Sequence, residues 1–147
     1  MPDLGDHRDP ARRRPEPLSI FFDVDHTLID DDHGLRPGAR NLLQTLHADG
    51  HRLYLWSGIG PRWEIVELHQ LGDIVSDCFD KPLYRHHELL EPLGISEPPD
   101  CVVDDHPDPV SVFGGVVVRA YRRPDPDDRE MERVLRELRR IERSRAA

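Results

Sequence analysis

Cysteine is scarce in this chain. Its 147 residues include only Cys78 and Cys101. These form no Cys-x-x-Cys pair and sit in apolar surroundings. That excludes a disulfide-stapled scaffold and a cysteine-rich zinc site, and it predicts two small buried core residues in a reducing compartment. Long hydrophobic runs are also missing, and no stretch approaches the roughly 20 apolar residues of a membrane span. Basic residues are outnumbered, 20 against 29 acidic ones, for a net charge of −9. Such a balance excludes general nucleic-acid affinity. Lysine occurs once, as Lys81, among basic residues that are otherwise arginine.

The chain length fits one domain with a proper core. Residues 1–17 are polar, charged and proline-containing. They read as a flexible N-terminal tail, not a signal peptide or membrane anchor, so a cytoplasmic location is expected. Arg12-Arg13-Arg14 within the tail reads as a solvated charge run. The folded domain is expected to span residues 18–147.

Apolar runs rich in β-formers alternate with segments of helical periodicity. Strands are expected over residues 18–22, 51–56, 73–79, 101–103 and 114–120. Helices are expected over 37–48, from Pro61 to Leu71, over 84–93, briefly after Pro107, and over 127–143. Pro37 suits a first helical turn, and Gly50 and Gly72 are stop signals. Trp63, Ile65, Val66, Leu68 and Leu71 form the expected buried face of the second helix. Met131, Val134, Leu135, Leu138 and Ile141 form that of the last. Strands alternating with helices predict an α/β fold, a three-layer Rossmann-like sandwich around a parallel five-stranded sheet.

The end of the first strand carries the chemistry. Residues 18–22 run straight into Asp23 and Asp25, with Thr27 two positions further on. Ligands of open α/β sheets sit beyond the carboxyl ends of the strands, and paired carboxylates there suit a hard cation. Ser57-Gly58 ends the second strand, Lys81-Pro82 follows the third, and Asp104-Asp105 ends the fourth. Intervals of 34, 24 and 23 residues separate Asp23, Ser57, Lys81 and Asp104. Each interval suits one helix plus one strand.

This ordered set, Asp-x-Asp-x-Thr-Leu, then Ser, then Lys-Pro, then Asp-Asp, resembles the motifs of the haloacid dehalogenase (HAD) superfamily over most of the chain. The resemblance implies an HAD-like Rossmann core with sheet order 5-4-1-2-3 and a Mg²⁺-dependent phosphatase. It implies Asp23 as the nucleophile forming an aspartyl-phosphate, and Asp25 as the general acid and base. Ser57 and Gly58 would grip a phosphoryl oxygen, Lys81 would neutralise the crowded anions, and Thr27 would join the substrate-binding set. The Mg²⁺ set would draw on Asp23, Asp25, Asp105 and Asp104, with Asp104 pairing with Lys81 and the division between the two left open. The wording leans toward the capless phosphatases related to those acting on the polymerase II C-terminal domain.

Neither the loop from Thr27 to Pro37 nor the interval from Ser57 to Lys81 can hold a folded cap domain. The expected partner is therefore a phosphorylated substrate, macromolecular or a polymer end, or else an oligomer or partner chain that closes the site. A response-regulator receiver uses similar residue types, but there the lysine comes last, and here it precedes the final acidic pair. A catalytically silent HAD-like module that binds phosphate or a partner is the alternative of a different class. His26 and His106 flank the expected site. His33, His86 and His87 are expected to be solvated, and none of the five matches a zinc spacing.

Overall fold

A computed structural model describes residues 16–146. The tail and Arg12-Arg13-Arg14 lie outside the described residues, apart from its last two positions. The elements in chain order are β1 (Ser19–Asp23), α1 (Ala39–Ala48), β2 (Arg52–Ser57), α2 (Trp63–Leu68), β3 (Val75–Asp80), β4 (Cys101–Asp104), α3 (Pro107–Phe113), β5 (Gly115–Val117) and α4 (Glu130–Ala146). The five strands form one sheet, β3-β2-β1-β4-β5, with every neighbouring pair parallel. That is the expected order read from the other edge. No helix among the described residues is long and apolar enough to cross a membrane.

Side-chain alternation along each strand divides the core into two. Ile20 and Phe22, Leu53 and Leu55, and Cys101 and Val103 point to one face, where they meet buried residues of α1, α2 and α4. Phe21, Trp56 and Val102 point to the other, against Leu90, Ile95, Val110 and Phe113. Strands buried on both faces need apolar centres, as in Ile20–Phe22 of β1 and Cys101–Val103 of β4. Both cysteines are free and buried as expected. Burial pushes the Cys78 thiol up to about 12 and the Cys101 thiol up to about 11, so neither is a ready nucleophile. β5 lies so close to β4 that a Cβ on Gly115 would sit 1.9 Å from the Val102 carbonyl oxygen, and the residue's φ is +135°. Only glycine fits there.

Three expectations are corrected. Residues 84–93 form no regular helix but a run of turns. Arg85 takes a left-handed conformation, φ 47°, and Pro92 brings no N–H, so the helical ladder is broken at both ends. The second face of the sheet is consequently covered by α3 and an irregular segment. In α2, Trp63 and Leu68 do not belong to the buried face, for they are 48% and 58% exposed while Ile65 and Val66 are buried. A helix of six residues has too few turns for five core positions. Finally, α1 starts at Ala39, because Gly38 precedes it with φ 80° and sets Pro37 outside the helix.

Candidate active site

The strand order reverses between β1 and β4, since β1 continues to β2 on one side and β4 continues to β5 on the other. At such a switch point the connections diverge and leave a crevice at the carboxyl ends. Phe22 is in register with Val103. The next residues along the two strands, Asp23 and Asp104, are therefore side by side. Ser57 ends β2 beside them and is in register with Asp80, which puts Lys81 just beyond. The Lys81 backbone N–H donates to the Ser57 carbonyl at 2.9 Å. Residues 81 positions apart in sequence thus converge because each follows a strand of the same sheet.

The buried Lys81 ammonium donates to Asp23 Oδ1 at 3.0 Å and to Asp104 Oδ2 at 3.1 Å. The other Asp104 oxygen accepts the His106 backbone N–H at 2.9 Å. Asp104 is fully buried and both its oxygens are committed within the protein. Thr27, also fully buried, donates its hydroxyl hydrogen to Asp23 Oδ2 at 3.1 Å and accepts the Asp105 N–H at 3.1 Å. It acts as a strut beneath the carboxylates. Asp105 keeps its carboxylate 3.4 Å from the Thr27 hydroxyl, with His106 Nε2 4.0 Å away.

Asp25 stands apart. Its half-exposed carboxylate pairs with the buried Arg62 guanidinium, which also holds Glu64. Arg62, which contacts a candidate site residue, is the one the sequence did not point to. It lies 37 positions from Asp25, and no local pattern separates it from the other arginines. Ser57 is buried, with its Oγ accepting the Ile59 N–H at 3.3 Å. Gly58 lies against Leu83: a Cβ there would come within 2.9 Å of the end of that exposed side chain, which would have to shift. His26 sits at the rim, its Nε2 2.6 Å from Asp31, and His106 is largely exposed.

Burial raises the Asp23 carboxyl to about 8, helped by the Asp104 charge and opposed by Lys81. Burial likewise raises Asp104 against the pull of Lys81. Burial also disfavours ionised Asp105, but the hydrogen bond with Asp23 and the nearby His106 outweigh it and carry Asp105 below its usual range. Burial opposes the charged form of Lys81, yet Asp23 and Asp104 more than compensate, so its pKa rises. Three carboxylates around one ammonium leave an excess of negative charge in a poorly solvated pocket, which is why a proton is retained.

Oxygens of Asp23, Asp104 and Asp105 lie within 4.8 Å of one another. The donors are all hard oxygens, with no thiolate or imidazole among them, which suits a small divalent cation of the Mg²⁺ kind. A second grouping, Asp49, His51 and Glu142, is also compact. There both imidazole nitrogens are taken: Nδ1 accepts the Leu18 N–H at 3.0 Å and Nε2 faces Glu142 at 2.8 Å. That group ties α4 to β2 and has no ligand atom to spare on the histidine.

The raised Asp23 pKa sets a pH dependence. A carboxyl whose folded pKa lies above its unfolded value favours the fold when protonated. Its contribution is complete below the ordinary value of 3.8 and is lost as pH rises through about 8. Cation-free protein should therefore lose stability across that window. A divalent cation replaces the proton, so Mg²⁺ should raise the melting temperature more at pH 8.5 than at pH 5.5. Equal Mg²⁺ shifts at the two pH values in a thermal melt would contradict this assignment.

Comparison of the chain with protein-family models, with curated proteins and with solved structures returned no match in any of the three.

Proposed function

We propose that this protein is a Mg²⁺-dependent phosphomonoesterase of the capless HAD type, working through an aspartyl-phosphate on Asp23. The observation that carries the reading is the Lys81 ammonium held between Asp23 and Asp104 at the sheet's switch point. Phosphoryl transfer needs a nucleophile, a counter-charge for the phosphoryl oxygens, and little else. Asp105 and Asp23, with the Asp25 backbone carbonyl, would hold Mg²⁺. The carboxylate of Asp104 serves Lys81 and the His106 N–H instead. When bound, the cation supplies charge to orient the phosphoryl group and to hold Asp23 ionised.

In the first step Asp23 attacks phosphorus and the bond to the ester oxygen breaks. Asp25 donates a proton to that oxygen, and the alcohol leaves. In the second step Asp25 takes a proton from water, which attacks phosphorus and frees phosphate and Asp23. Thr27 fixes the Asp23 carboxylate. Ser57 and the backbone N–H of Gly58 would grip a phosphoryl oxygen; the Ile59 and Gly60 N–H groups already donate to Ser57. Arg62 pairs with the Asp25 carboxylate and so would fix where the acid sits.

Between Ser57 and Lys81 the chain holds only α2 and β3, and no cap domain is present among the described residues. An uncovered site suits a phosphate carried on a large molecule. p-Nitrophenyl phosphate is the first test. Release of phosphate with Mg²⁺, abolished by EDTA and restored by added Mg²⁺, is expected. Saturable binding of phosphate with no turnover would favour the silent binding module instead.

Asp25→Asn should separate leaving groups. The backbone carbonyl survives, so cation binding persists, but the proton donor is gone. Alkyl phosphates should lose roughly 100-fold or more in kcat/KM, and p-nitrophenyl phosphate, whose leaving group needs little protonation, much less. Uniform losses across a leaving-group series would remove Asp25 from the acid role.

A further inference from the structure

We propose that a cavity beside the acidic site receives the aromatic ring of an aryl phosphomonoester, such as a phosphorylated tyrosine side chain, and so selects the substrate. The inference rests on the phosphomonoesterase reading above and adds the substrate class. The cavity has a volume of about 290 Å³ and shares Lys81 and His106 with the site. Lys81 contacts Asp23 at 3.0 Å, so the cavity adjoins the reacting end.

Half of its lining is apolar. Pro82, Pro107 and Pro109 line it together with Leu83. Proline rings and a leucine offer C–H surface to the face of an aromatic ring. The size is at the bottom of the range for small-molecule pockets, about 300–1,000 Å³. It suits one ring and cannot enclose a nucleotide. The rest of the lining is Lys81, whose ammonium is held by Asp23 and Asp104, with His86, His106 and Asp108.

The rim continues the apolar wall outward. Ile59, Leu83 and Tyr84 are 77%, 66% and 66% exposed, within three residues of Ser57 or Lys81. They are three of only seven exposed large hydrophobic residues among those described. Apolar side chains gathered at the mouth of a site are covered when the site is filled. A ring in the cavity with its peptide or other body across this rim would cover them.

Binding of two non-hydrolysable phosphonates, benzylphosphonate and propylphosphonate, to the Mg²⁺-loaded full chain tests the proposal by calorimetry. Benzylphosphonate should bind roughly tenfold more tightly, through burial of the ring. Leu83→Asp should bring the two within about twofold of each other, and the milder Leu83→Ser should give an intermediate ratio. Leu83 is exposed, so neither variant threatens the fold. Equal affinities in the wild type, no binding of either compound, or a preference unchanged in Leu83→Asp would overturn the proposal. Preference for the benzyl compound without any release of phosphate from p-nitrophenyl phosphate would keep the cavity assignment and remove the hydrolytic one. Hydrolysis without the preference would do the reverse.

Discussion

Asp23→Asn should lower Mg²⁺-dependent phosphate release by roughly a thousandfold or more, close to the limit of detection. The amide has nearly the same shape as the carboxyl but cannot form the acyl phosphate. The fold should tolerate the change well. Asp23 is raised to about 8 by burial and by Asp104, so a neutral group costs little there. In the absence of cation the variant should be no less stable than wild type at pH 8 and above, where the native carboxyl is forced to ionise. Thermal melts should then show a reduced response to Mg²⁺, because one of the three clustered carboxylates is gone. Residual activity near the wild-type rate, in a preparation free of other phosphatases, would remove Asp23 as the nucleophile.

Arg36→Met should cost about 3–5 kcal/mol of stability, the range seen when one partner of a buried ion pair is deleted. The Arg36 side chain is fully buried and donates from Nε and Nη2 to the two oxygens of Asp128, at 2.8 and 2.9 Å. Nη1 donates to the Arg119 carbonyl at 2.8 Å, and the guanidinium lies 5.0 Å from the centre of the Tyr121 ring. The bidentate pair spans 92 positions of sequence. It pins the segment after β5 to the loop carrying Thr27, whose carbonyl also accepts from Nη1. Methionine fills much of the volume but leaves Asp128 and two carbonyls without their donor. The melting temperature should fall by about 10 °C or more. Adding Asp128→Leu to Arg36→Met should recover much of the loss, since the stranded charge is then removed. Calorimetry showing Arg36→Met within about 0.5 kcal/mol of wild type would mean that the pair is not held as described.

The sheet was legible because β1 and β4 have apolar centres and its strands end on punctuated turns. Asp23, Ser57, Lys81 and Asp104 could be placed together from sequence for the same reason: a residue at the carboxyl end of a strand in a parallel sheet has little freedom in where it goes. The role of Thr27 was less legible. Its place after the acidic pair pointed to substrate, whereas its burial and hydrogen bonds make it a support for Asp23 and Asp105. Arg36 and Arg62 carried no local signal at all, because each takes its meaning from a carboxylate many residues away. The stretch over residues 84–93 misled through its leucines, of which Leu90 is buried while Leu89 and Leu93 are only partly so. Backbone features decided its conformation, with Arg85 left-handed and Pro92 without a donor. Trp63 and Leu68 misled because hydrophobicity marks residues that can be buried, not a helix long enough to bury them.

The central claim is that Asp23 carries the phosphoryl group during turnover. Reductive trapping tests it most directly. Wild-type protein turning over p-nitrophenyl phosphate with Mg²⁺ is quenched and treated with borohydride, which reduces an acyl phosphate to the alcohol. Peptide mass spectrometry should then find homoserine at position 23, dependent on both substrate and Mg²⁺. Steady release of phosphate with position 23 unmodified, or with the mark on another residue, would contradict the account.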